Sequence, residues 1–248
     1  MSEQSRSSFR RYLATSDRPF PRLVRRVHKG ARLFSVPVPR IIGRPLLLIY
    51  LTIRTIWYFV LRVFVCEPIF KAYFKECGRN FRGDCYIPWI EGKGDIIVGN
   101  NVEFSGKVAI SFGARFTDNP TLIIGDNSGI GHDTQLVVGN RITIGRDCNI
   151  SGNCWIADSS GHPSDAVNRA ARKPPDPDDV RPIVIGDGVW IGRQCLIFPG
   201  VKIGEASIVS AGSVVRGHVP AFSVVAGNPA KVVLRMKPPP PRNSTGRE

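Results

Sequence analysis

Between residues 184 and 215 an aliphatic side chain returns at every sixth position: Ile185, Ile191, Ile197, Ile203, Val209 and Val215. Upstream, Val98, Phe104, Ile110, Phe116 and Leu122 keep the same beat; Ile124, Ile130 and Leu136 resume it after a two-residue shift, and Ile144, Ile150 and Ile156 after another. An α-helix asks for spacings of three and four, and a free strand for two. A period of six suits a short strand with alternating side chains, closed by a sharp corner that delivers the chain to the same place on the next face. The aliphatic residue then points inward, and the position four later, also inside a narrow coil, has to be small. Ser128, Thr134, Cys148, Cys154, Val189, Cys195, Val201, Ser207 and Ser213 occupy those positions. Steps such as "IGDNSG", "GNNV" and "GDGV" supply corner residues that tolerate positive φ. The pattern predicts a mainly β chain, a parallel β-helix over 96–234.

The run "VIGDGVWIG…PGVKIG…SAGSVV…VP…VVAGNPAKVV" resembles the hexapeptide-repeat acyltransferases, in the branch of the maltose, galactoside and surface-polysaccharide O-acetyltransferases. The resemblance covers 98–234. It implies a left-handed parallel β-helix, a homotrimer with active sites between subunits, and acetyl-CoA as acyl donor, with no metal.

A smooth coil has no cleft of its own, so the interruption over 157–182, "ADSSGHPSDAVNRAARKPPDPDDVRP", draws attention as a long insertion. In the resembling enzymes a Gly-His-Pro after the same repeat carries the catalytic histidine, and residues 161–163 match it, making His162 the candidate general base. An acceptor hydroxyl is a poor nucleophile, and imidazole, whose ordinary pKa is about 6.5, takes its proton at neutral pH. Such a base works better when a carboxylate fixes its tautomer; Asp158 and Asp165 are both near enough, and either could instead cap a turn. The resemblance also implies that Trp190 lines the acyl pocket from a neighbouring subunit, and that the backbone N–H of Arg193 faces the thioester carbonyl. By the same resemblance Gly192, Ala211 and Gly212 are expected along the coenzyme's path, and Arg216 and Lys231 near its phosphates. One departure matters: where the sugar acetyltransferases hold the acceptor with acidic residues, "VVGNRITIG" offers Gly139, Asn140 and Arg141. A larger acceptor than maltose or galactoside, a glycan or glycolipid precursor, is expected.

The net charge is +14, and it gathers at the front: before residue 45 eleven Arg and Lys face only Glu3 and Asp17. Residues 1–40, interrupted by Pro19, Pro21, Pro37 and Pro39, read as a basic, largely disordered arm, and 235–248 as a disordered Pro-rich tail. Between arm and coil lies an N-terminal helical extension, 41–95, whose stretch 44–68 is nearly all apolar and suits a helix ending near Pro68. Arg54 and Arg62 interrupt it, each costing about 2.5–3.5 kcal/mol at a bilayer centre. At 100° per residue they share one arc with Thr55 and Tyr58, which describes a helix lying in a membrane interface; packing on protein is the alternative. With basic residues on both flanks, the extension places the chain at an anionic surface through residues 1–66, on the inner face of the cytoplasmic membrane.

The six cysteines form no C-x-x-C pair and read as reduced thiols of a cytoplasmic protein. No nucleic-acid-reading motif accompanies the basic arm. A zinc enzyme on the same coil would need three histidines, and the coil offers His132 and His162. The competing functions are N-acylation of an amino sugar and a non-catalytic β-helix scaffold.

Overall fold

The structure, a computed structural model, describes residues 3–113 and 116–238. It divides into two compact units, 1–54 and 55–248.

In the first unit the basic arm is helical, against expectation: α1 spans Glu3–Thr15 and α2 spans Pro19–Leu33. Pro19 opens α2, where its missing N–H has no helical partner to lose, and Pro37 and Pro39 fall in the break before α3, Arg40–Leu61. Arg25 ties the two helices together by donating to the carbonyls of Leu13 and Ser16 at 2.7 and 2.8 Å. α3, whose last residues belong to the second unit, has no buried residue, and Ile41, Leu48, Ile53 and Trp57 are all exposed.

Within the second unit the helix does not stop at Pro68. A π-helical turn over Arg62–Cys66 intervenes, in which the Glu67 N–H reaches five residues back to the Arg62 carbonyl, and α4, Glu67–Lys71, continues from it. The wider turn relieves the clash of a proline ring with the carbonyl four residues earlier. Phe70 of α4 is buried against Phe81 and Phe104, with ring centroids 5.4 and 5.1 Å apart, closing the first end of the column.

The column itself is a parallel β-helix of three sheets. Its first face stacks Glu76–Cys77, Asp95–Val98, Thr121–Ile124, Arg141–Ile144, Ile183–Ile185 and Lys202–Ile203. The second stacks Glu103–Phe104, Gly129–Ile130, Asn149–Ile150, Trp190–Ile191, Ile208–Val209 and Ser223–Gly227; the third Trp89–Glu91, Ala109–Phe112, Gln135–Val138, Trp155–Ala157, Leu196–Ile197 and Val214–Val215. Winding thus begins near residue 76, some twenty residues before the aliphatic beat, because the first coil is filled by aromatic rings instead. At the far end Ala230–Arg235 folds back antiparallel on Ser223–Gly227.

Register confirms the inward assignment. Ile124, Ile144, Ile185 and Ile203 stand one above another on the first face. Phe104, Ile130, Ile150, Ile191, Val209 and Val225 do so on the second. All are buried, and so are the small residues four positions on. Each buried Ile, Leu or Val contributes about 1.5–3 kcal/mol. Phe116 is the exception to the beat: it lies in the loop between Phe112 and Thr121, outside any strand. At one corner a ladder of side-chain amides binds successive coils, Asn80 to Asn101 at 2.9 Å, Asn101 to Asn127 at 2.8 Å and Asn127 to Asp147 at 3.0 Å. Asn101, Asn127 and Asp147 sit there at φ near +57°, which Asn and Asp tolerate better than other side chains. The tail expected from 235 lies outside the described residues from 239 on.

Neighbouring positions on one strand test this alternation. Ile203→Ala should lower unfolding stability by about 2–5 kcal/mol, whereas outward Lys202→Ala should stay within about 0.5 kcal/mol. Urea denaturation distinguishes them, and equal costs would contradict the inward assignment.

Candidate active site

Two insertions leave the column at the same corner, between the third face and the first: residues 113–120 and residues 158–182. One coil separates them, and its own passage through that corner is the tight turn 139–140.

The base of the longer loop is fixed by Asp158. Its side chain is fully buried and its carboxylate accepts three backbone N–H groups of the tight turn, from Gly139 at 2.5 Å, Asn140 at 2.8 Å and Arg141 at 2.7 Å. Burial pushes the Asp158 carboxyl above its ordinary value and the three amides pull it back. The loop closes on itself where the Arg181 N–H donates to the Asp158 carbonyl at 2.8 Å. Asp165 has a second structural task, capping the short helix α5, Ala166–Ala170, by accepting from the Asn168 N–H at 2.8 Å. Neither carboxylate hydrogen-bonds the His162 ring, so the structure commits both sequence candidates for orienting it to backbone amides instead.

His162 follows Gly161, which turns at φ +77°, a conformation a side chain would strain. The Ser160 hydroxyl donates to the His162 carbonyl at 2.9 Å, and Arg169 of α5 donates to the carbonyls of Pro163 and Ser164, both at 2.9 Å, so the Gly-His-Pro turn is held from both sides. The imidazole has no hydrogen-bond partner among the described residues and lines a cavity of about 560 Å³. Ser111, Phe112 and Phe116 belong to its wall, as do Gly139 of the tight turn and Arg169, Arg172 and Lys173 of the loop. Among the described residues no cysteine lines it, so no thiol nucleophile stands in the cavity.

The residues expected on the coenzyme side lie elsewhere, and none lines that cavity. Trp190 is on the second face, half exposed, its indole N–H 3.4 Å from the Ser151 hydroxyl. Arg193 stands at the next corner, its guanidinium on Asn153 at 2.8 Å, and its own N–H makes no backbone hydrogen bond among those of the corner. Ala211 and Gly212 are exposed, with open space where a Gly212 side chain would begin. Gly192 differs: an added Cβ would stand 2.6 Å from the Ala211 nitrogen, so the close approach of stacked coils already requires glycine. Arg216 stacks on Phe198 at 3.8 Å, and Lys231 belongs to the final antiparallel strand.

The aromatic and basic wall residues were not singled out by sequence. Phe116 falls on the beat by coincidence, because the chain rejoins the coil at Thr121 with Leu122 in phase with Ile110.

The family described as bacterial transferase hexapeptide (six repeats) matches residues 182–217. A protein of Escherichia coli (strain K12) whose name makes it an O-acetyl transferase of lipopolysaccharide biosynthesis, WbbJ, is 32% identical over 170 residues, 66% of this chain and 82% of that one. Galactoside O-acetyltransferase of the same organism is 30% identical over 67% of this chain and 66% of its own length. Among solved structures, a point mutant of AntD, an N-acyltransferase from Bacillus cereus, in complex with dTDP and coenzyme A has TM-score 0.58 at 23% identity, over 71% of this chain and 91% of that one. With its three-faced column and hexad repeats, the chain belongs to the bacterial hexapeptide transferases, and its column is their left-handed parallel β-helix. Within that family it is an acetyltransferase.

Asp158→Asn turns an acceptor oxygen into a donor facing backbone N–H groups. It should cost about 1–3 kcal/mol and speed limited proteolysis within 159–180. Unchanged cleavage would show that the carboxylate does not hold the loop.

Proposed function

We propose that this acetyltransferase moves the acetyl group of acetyl-CoA onto a sugar hydroxyl of a surface glycan, glycolipid or polysaccharide precursor, with His162 as general base. One observation carries the reading: an imidazole with no partner among the described residues lines a cavity large enough for a sugar, between two loops that leave the column at one corner. His162 takes the acceptor hydroxyl proton as that oxygen attacks the thioester carbonyl. In this reading the backbone N–H of Arg193, contributed by a neighbouring subunit, stabilises the resulting oxyanion. When the C–S bond breaks, the imidazolium returns the proton to the departing thiolate, leaving an O-acetyl ester and free coenzyme. No covalent acyl-enzyme is required.

Trp190, Arg193, Ala211 and Gly212 do not line the His162 cavity of their own chain. That separation supports a homotrimer in which one subunit supplies the histidine and its neighbour the acyl-donor groove, with Arg216 and Lys231 near the coenzyme phosphates. The relatives' naming as O-acetyl transferases of galactosides and lipopolysaccharide biosynthesis supports a sugar hydroxyl as the acceptor.

The N-terminal helices hold the enzyme at the inner face of the cytoplasmic membrane. Arg40–Lys71 is long and apolar enough to cross a bilayer, its most apolar window having mean hydropathy 1.7 and no buried residue. Arg54 and Arg62 favour a helix lying in the interface over a span, and the surrounding Arg and Lys favour anionic lipid.

His162→Ala should reduce acceptor-dependent release of coenzyme A by at least about a hundredfold with the melting temperature unchanged. Retained turnover would remove the histidine from the mechanism. The full chain should float with phosphatidylglycerol vesicles and detach from them, more than from phosphatidylcholine vesicles, as the headgroup attraction is screened by salt. Equal binding to both vesicle types would leave the basic arm without its assigned partner.

A further inference from the structure

The loop 158–182 carries five carboxylates, Asp158, Asp165, Asp176, Asp178 and Asp179, and four strong bases, Arg169, Arg172, Lys173 and Arg181. Its composition therefore favours neither sign of ligand, but the fold separates the charges. Arg169, Arg172 and Lys173 all line the His162 cavity, and no carboxylate lines it among the described residues. Asp158 faces the backbone of the tight turn, Asp165 caps α5, and Asp179 accepts from the Ser164 hydroxyl at 3.3 Å. Arg169 is partly committed to the Pro163 and Ser164 carbonyls. The side chains of Arg172 and Lys173 have neither a hydrogen bond nor an ion pair among the described residues. Adjacent cations on a concave wall repel one another, and a bound anion removes that cost.

A second observation concerns the backbone. The Lys173 N–H donates to the Asn168 carbonyl at 3.0 Å and the Arg172 N–H to the Arg169 carbonyl at 3.1 Å, so α5 ends in a Schellman motif. The left-handed position of that motif favours glycine, yet Arg172 occupies it, at φ +54°. A strained non-glycine residue beside a cavity is the kind of feature that function retains. Phe112 and Phe116 give the same cavity apolar faces for a sugar ring, and Gly139, at its wall, contributes no carboxylate that would repel an anion.

We infer that the acceptor is anionic, bearing a carboxylate or a phosphate on or beside the acetylated sugar, and that Arg172 and Lys173 bind this group. The inference rests on reading the cavity as the acceptor side of the site. It gives the positively lined pocket a substrate class that a neutral disaccharide does not satisfy. Arginine offers a two-pronged donor to either oxyanion, and lysine adds a point charge.

Equilibrium binding to the full-length protein tests this, with three probes: a glucuronate-containing disaccharide, a hexose phosphate and a neutral disaccharide of matched size. At least one anionic probe should bind at least about tenfold more tightly than the neutral one, the worth of a single charged hydrogen bond. In the Arg172→Gly, Lys173→Gln double variant the preference should collapse to within about threefold. Because glycine suits the left-handed position, this variant should melt no lower than the parent, which separates lost binding from lost structure. Preference for the glucuronate alone or the phosphate alone supports the inference and names the anion's source. Equal binding of anionic and neutral probes overturns it, as does a preference that survives in the double variant. A double variant that weakens acetyl-CoA binding while leaving the probes unchanged overturns it too, assigning the cations to the donor. Repeating the titration with His162→Ala keeps the questions apart: that variant should retain the anionic preference whether or not His162 proves to be the base.

Discussion

Everything in this molecule depends on the in-register stacking of inward side chains from one coil to the next. Ile124, Ile144, Ile185 and Ile203 repeat one position on the first face, and the other two faces repeat theirs in the same way. A parallel ladder fixes each strand to its neighbours above and below, so a coil that slipped by one residue would turn its aliphatic side chain outward. The corners enforce the same register from outside. The amide ladder from Asn80 to Asp147 pairs each corner with the next, and Gly192 has no room for a side chain because the following coil passes so close. Phe70 closes one end of the column, and at the other the antiparallel strand 230–235 pairs with its last strand.

Both insertions contribute to the wall of the His162 cavity, and Asp158 joins the longer one to the column. A buried carboxylate unpaired with a cation is costly, and three converging N–H groups compensate it while fixing the place where the long loop departs. From that base the chain turns at Gly161, presents His162, and is held behind by Arg169. Charge is sorted along the same loop: Asp158, Asp165 and Asp179 serve backbone and hydroxyl groups, while Arg169, Arg172 and Lys173 face the cavity. The electrostatics of the site is therefore a product of folding and not of loop composition.

Much of this was legible in the sequence, for identifiable reasons. The period of six is a direct image of strand-plus-corner geometry, and the small residues from Ser128 to Ser213 fell where the pattern required. The place of His162 at a cavity was legible because Gly-His-Pro sits in the long interruption of the repeat. What stayed hidden depends on contacts distant in sequence or on coincidence. Sequence proximity offers Asp158 and Asp165 equally as partners for the imidazole or as turn caps, because the amide partners of Asp158 lie 17–19 residues upstream. Phe116 fell on the beat without belonging to it, and the first coil escaped notice because phenylalanines fill the place of isoleucine. Pro68 marks an expected helix end only if the turn before it is an ordinary α-turn, and the π-turn at 62–66 removes that condition. The arm's prolines were read as breaks throughout, whereas two of the four fall in the first turn of a helix.

Both insertions leave from a single corner, on either side of a tight turn that inserts nothing. Most residues that line the His162 cavity thus belong to segments whose length the repeating frame does not constrain. Such a layout lets a lineage exchange one acceptor for another by lengthening or recharging two excursions. The repeating frame itself would stay as it was.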